Sequence, residues 1–224
     1  MRRRFTPSRI LQIGIPAGIQ GAIFSVSNVF IQSGINSFGE NAIADSSLAL
    51  NFEYFTYDIA NAFAQAAVTF TSQNIGARKY HNLDRVMRNC LLCAVVTGIV
   101  LGGGASLAGN QLLHIYSSDE AVIAAGYERL RVICGTYLLC GIMDTLASSL
   151  RGLGYSVLPM VVSFVGSCLL RLVWIATVFR LNRTPFMLYI SYPISWVLTA
   201  AVNLTCLLIV RHKLQKKGQN LQAA

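Results

Sequence analysis

Six apolar stretches, at about 10–36, 44–72, 89–113, 121–150, 155–179 and 187–210, run through a chain of 224 residues with only short charged or turn-rich breaks between them. Each is at least as long as the roughly 20 residues that an α-helix needs to cross the hydrocarbon core of a bilayer. Inside that core only helices and closed barrels satisfy every backbone N–H and C=O. The expected fold is therefore all-α, a polytopic six-transmembrane-helix bundle that uses residues 1–224 as one unit, with 211–224 as a polar cytoplasmic tail left unstructured at its end. The start of the chain reads as a first span, because the apolar run after Arg2, Arg3 and Arg4 is too long for the core of a cleaved signal.

Charge sets the orientation. Only 12% of residues are charged, against about 25% in a soluble domain. The net charge of +9 comes from 18 Lys and Arg against 9 Asp and Glu, so it reflects scarce acids, not abundant bases, and it excludes an ordinary nucleic-acid-binding domain. Thirteen of the bases sit before span one (Arg2, Arg3, Arg4, Arg9), between spans two and three (Arg78, Lys79, Arg85, Arg88), after span four (Arg151) and after span six (Arg211, Lys213, Lys216, Lys217). The opposite loops hold Arg180 and Arg183. Positive loops stay inside, which puts both termini in the cytoplasm and the chain in a plasma membrane, a bacterial inner membrane being the expected one. Residues 76–88 read as a short interfacial helix carrying part of that signal. Cys90 and Cys93 have CxxC spacing, but no second pair completes a zinc site, so no metal or cofactor is expected.

The polar residues inside the spans speak against a simple anchor. In span one, Gly14, Gly18, Gly21, Ser25, Asn28, Gln32 and Asn36 fall within an arc of about 80° at about 100° per residue. The glycines allow close helix contact, and the three amides need a partner helix or water. In span two, with Glu53 set at 0°, Tyr57, Asn61, Tyr54, Gln65, Asp58 and Asn51 spread to about 160° on one side, while Phe55, Ile59, Phe52, Phe70 and Phe63 hold the other. A central acid costs roughly 2.5–3.5 kcal/mol to insert. Glu53 and Asp58 are thus expected to line an aqueous pathway for a proton, a cation or a cationic substrate, or to pair with Arg171, the sole arginine deep in span five. Span four repeats the pattern with Tyr137, Gly141, Asp144 and Ser148, where Asp144 is either a coupling carboxylate or a partner of Arg151 or Arg171. Span six carries Tyr192, Trp196, Thr199 and Asn203 after Pro193, which can break or kink a helix. Four spans with one polar face each imply a bundle beside a wet cavity.

Several segments together resemble the multidrug and toxic compound extrusion (MATE) transporters, specifically their C-terminal six-helix half: Arg9-Ile-Leu-Gln-Ile-Gly-Ile-Pro-Ala-Gly-Ile-Gln20, Ile31-Gln-Ser-Gly-Ile-Asn-Ser-Phe-Gly39, Phe70-Thr-Ser-Gln-Asn-Ile-Gly-Ala77 and Ser149-Leu-Arg-Gly-Leu-Gly154. The resemblance implies an antiporter, not an enzyme, that couples inward H⁺ or Na⁺ to export of bulky organic, often cationic, compounds by rocking two six-helix lobes. It implies as partners membrane lipid, small organic substrates, and a missing N-terminal six-helix lobe or a second subunit. Some members carry a cation-site glutamate where this chain has Phe24 and an aspartate where it has Cys140, so those roles do not transfer, and Glu53 and Asp58 are candidates from the helical face alone. Alternatives are a lipid or glycan-lipid flippase of the same superfamily, whose cavity would be strongly cationic, and a non-transporting assembly subunit. An intramembrane aspartyl protease would place glycine before its second aspartate, where Met143 stands.

Overall fold

The computed structural model describes residues 7–115 and 118–222, with the side chains of 9, 40–48, 121 and 215–222 outside the described set. Six helical segments follow one another. The first is Pro7–Asn36 and the second Glu40–Gly76. The third runs as Leu83–Thr97 and Gly103–His114 around a π-helical turn at Gly98–Gly102. The fourth is Glu120–Gly135 and Tyr137–Gly152. The fifth is Val157–Ser163, a π-helical turn at Phe164–Leu169, Leu170–Ala176 and Val178–Leu181, and the sixth Pro185–Tyr189 and Ser191–Gln222.

The apolar surfaces face outward. Val29, Leu107 and Leu181 are 68%, 86% and 89% exposed, which water would penalise and acyl chains would not. The first, third, fifth and sixth helices are each long and apolar enough to cross a membrane, and the two pieces of the fourth reach that standard together as one span bent by 41°. The second helix does not reach it among the described residues. Six spans were expected, and this one falls short because Asn51, Glu53, Asp58, Asn61 and Gln65 dilute its hydropathy. It packs on one side against the third and fourth helices, while Phe55 and Phe70 stay 62% and 51% exposed on the other.

Three local expectations are corrected. The fourth span is broken where a continuous helix over 121–150 was expected: Thr136 Oγ1 donates to the carbonyl of Val132 at 2.7 Å, a back-bond that bends helices. Glycines of the third helix close over that break. A Cβ at Gly98 would lie 2.5 Å from Leu138 Cα, and one at Gly102 would strike the carbonyl oxygen of Cys134. Gly98→Ala is expected to cost about 1–3 kcal/mol through overpacking, read as a lower unfolding temperature in detergent, and an unchanged temperature would refute this reading of the seam. The sixth span is interrupted at Ile190, as Pro193 allows: lacking an N–H it cannot bond the carbonyl of Tyr189, where Pro185–Tyr189 ends, and it falls in the first turn of Ser191–Gln222, which proline tolerates. The tail, expected to be unstructured, continues that helix to Gln222, and Arg211 Nη2 ties it to Asp84 Oδ2 of the third helix at 2.5 Å. Residues 76–88 hold a turn at Tyr80–Asn82 and the start of the third helix at Leu83, not a separate interfacial helix.

The first helix packs mainly on the fifth, the second and sixth both pack on the fourth, and the contact between the first and second is slight. The bundle is therefore open between these two helices. The glycines of the first helix do not form the close seam expected of them within this chain, since a Cβ at Gly14, Gly18 or Gly21 would meet nothing within 4 Å.

Candidate functional site

A cavity of about 760 Å³ lies behind that opening. The first helix gives it Asn28, Gln32 and Asn36, the second Glu53, Tyr54 and Tyr57, the fourth Arg129, Tyr137, Cys140 and Asp144, the fifth Arg171, and the sixth Tyr192 and Trp196.

On the second helix the cavity takes only part of the polar arc. Leu50, Glu53, Tyr57 and Tyr54 line it and span about 100°. Asp58 falls beyond that edge, is exposed and does not line the cavity. Asn61 and Gln65 lie further along the helix, also outside it, where Gln65 Nε2 donates to Asn61 Oδ1 at 3.4 Å. Asp45 falls outside the residues whose side chains are described.

Glu53 does not stand as a free carboxylate, and its partner is not Arg171. Arg129 Nε and Nη2 donate to Glu53 Oε1 and Oε2 at 2.5 and 3.0 Å, and the two side chains are 2% and 6% exposed. Such a bidentate fork is the strongest arginine–carboxylate geometry. The Arg129 guanidinium also lies 5.8 Å from the ring centre of Tyr189. Arg129 and Arg131 both fall near the outer end of the fourth span, next to Glu128; Glu128 and Arg131 are exposed and Arg129 is buried. Helical phase held the signal that was missed, because Arg129, Tyr137, Cys140 and Asp144 share an arc of about 80°.

Arg171 is 2% exposed. Its Nε donates to Ser195 Oγ at 3.0 Å and its Nη1 to Asn28 Oδ1 at 3.4 Å, and the guanidinium lies 4.1 Å from the centre of the Tyr192 ring. No carboxylate lies within 4 Å of it among the described residues. Asn28 also accepts from Tyr192 Oη at 3.5 Å, and Gln32 Nε2 donates to Asn36 Oδ1 at 3.1 Å. Tyr137 and Tyr192 flank Trp196 with ring centres 5.4 and 5.7 Å away, so the stripe that suggested packing also forms a cavity wall. Asp144 is half-buried and pairs with neither Arg151 nor Arg171: Arg151 Nη2 donates to Ser148 Oγ at 2.8 Å, and the Cys140 thiol lies 4.0 Å from Asp144 Oδ2.

A bundle with lipid-compatible outer faces and a polar cavity at an open side defines a multi-pass membrane protein of the transporter class. The MatE family model matches residues 16–177, and the chain belongs to that family, whose members are transporters, not enzymes. The Probable multidrug resistance protein YoeA of Bacillus subtilis is 25% identical over 154 residues, 69% of this chain and 33% of that one. The Probable multidrug resistance protein NorM of Chromobacterium violaceum is 28% identical over 165 residues, 71% of this chain and 34% of that one. A crystal structure of MATE in the straight conformation superposes with a TM-score of 0.86 at 15% identity, covering 96% of this chain and 49% of the other, which is a likeness of fold. The chain thus spans about a third of the length of the curated relatives it matches and about half that of the solved chain.

Proposed function

We propose that this chain is the C-terminal six-helix lobe of a multidrug efflux antiporter, which exports organic compounds by alternating access and is driven by inward H⁺ or Na⁺. The observation that carries the reading is the cavity on the open side of the bundle, where polar groups of five helices meet between the first and second helices. Relatives named multidrug resistance proteins support export as the activity. The other six-helix lobe, or a second subunit, would cover the open side and complete the pathway. The proposed site is a plasma membrane, a bacterial inner membrane in the first instance, with both termini cytoplasmic on the strength of the thirteen inner bases.

Asp144 is the proposed coupling carboxylate. Glu53 is committed to Arg129, and Asp58 lies outside the cavity, so Asp144 is the cavity acid without an ion pair within 4 Å among the described residues. A flippase cavity rich in positive charge fits less well, since Glu53 and Asp144 balance Arg129 and Arg171 on this wall.

The test is flux. Proteoliposomes holding this chain with a complementary six-helix lobe should move a fluorescent organic substrate against an imposed H⁺ or Na⁺ gradient. Failure in both gradients, with correctly inserted protein, would reject the antiporter reading.

A further inference from the structure

The charges on the cavity wall are unequally committed. Glu53 and Arg129 satisfy each other. Arg171 is buried as deeply as Arg129, yet each partner it has is neutral: the Ser195 hydroxyl, the Asn28 amide oxygen and the Tyr192 ring. A guanidinium carries five N–H donors in a planar fork, and these contacts use two of them and one face. A buried cation without a counter-charge is strongly unfavourable, and an aromatic face offsets that only in part. What the contacts do achieve is to hold the fork in one orientation on the cavity wall, the preorganisation that makes arginine a receptor for a carboxylate.

We propose that the cavity takes its ligand by an anionic group at Arg171, and that the ligand is an aromatic monocarboxylate. The aromatic body follows from the ring cluster beside the arginine, where Tyr137 and Tyr192 each stand within 6 Å of Trp196. The single negative charge follows from Asp144 on the same wall, which repels a second one. This deepens the transport reading and rests on it, while departing from the often cationic substrates that the family resemblance implied.

A matched pair of probes tests it: 2-naphthoate and 2-naphthylmethylammonium have the same apolar body and opposite charge. Binding to the full chain in nanodiscs is read from the fluorescence of Trp196, isolated by Trp174→Phe, since these are the chain's two tryptophans and Trp174 lies outside the cavity. Naphthoate is expected to bind about tenfold or more tightly than the ammonium probe, as a charge-assisted hydrogen bond supplies, and to be displaced by benzoate more effectively than by benzylammonium at the same concentration. Arg171→Gln should remove the preference, and Arg171→Lys should keep part of it. The competition needs no substitution at Arg171, so a variant that fails to fold leaves the proposal exposed to refutation, and displacement by both competitors alike would overturn it. Equal binding of the two probes, or a preference for the ammonium, overturns the proposal while leaving the cavity as a substrate site. Binding of neither probe rejects the cavity as an organic-substrate site and the transport reading with it. A naphthoate preference that vanishes when the complementary lobe is added assigns Arg171 to an acid of that lobe and likewise overturns it.

Discussion

Arg129→Ala is expected to destabilise the bundle by about 3–5 kcal/mol, the usual cost of leaving one charge of a buried pair uncompensated. The size follows from burial: both carboxylate oxygens of Glu53 are bonded by Arg129, and the side chains are almost inaccessible. The pair joins the second helix to the first half of the broken fourth one. Steric-trap unfolding in bicelles measures the loss. The double replacement Glu53→Leu with Arg129→Leu should recover most of it, because an apolar pair of similar volume is often neutral or better. A cost below about 1 kcal/mol for the single change, the range of exposed pairs, would mean that the pair is solvated and not structural.

Asp144→Asn is expected to reduce gradient-driven export by the assembled transporter to the level of empty vesicles while the protein folds and inserts normally. An amide fills the space of the carboxylate but binds neither H⁺ nor Na⁺ at its former charge. Asp144 lies between the Cys140 thiol and open cavity, with no arginine within 4 Å of it among the described residues. The readout that separates coupling from folding is substrate binding without a gradient, which should persist in the variant. Wild-type flux from Asp144→Asn would remove the coupling role and return the search to the other lobe.

Much of the fold is legible along the chain because a bilayer turns apolar length directly into helices. The breaks are less so. The bend at Thr136 depends on a back-bond and on two glycines from a different helix, and no local pattern announces a contact across that distance. The site was legible by helix but not by partner. The polar face of the second helix led to Glu53, Tyr54 and Tyr57, yet reading the arc as one surface carried it past the cavity edge to Asp58 and along the helix to Asn61 and Gln65. Arg129 falls with Arg131 near the outer end of span four, and only phase relative to Asp144 separates the buried arginine from the exposed one.

The low hydropathy of the second helix has a consequence for how the chain is made. By itself this helix partitions poorly into lipid, and its buried acid meets its counter-charge only when Arg129, 76 residues later, has been synthesised. At about 5–20 residues per second that interval is about 4–15 s. During it the second helix must stay sheltered by the insertion machinery, so crosslinks between residue 53 and that machinery should persist until the nascent chain extends past the fourth helix and then fade.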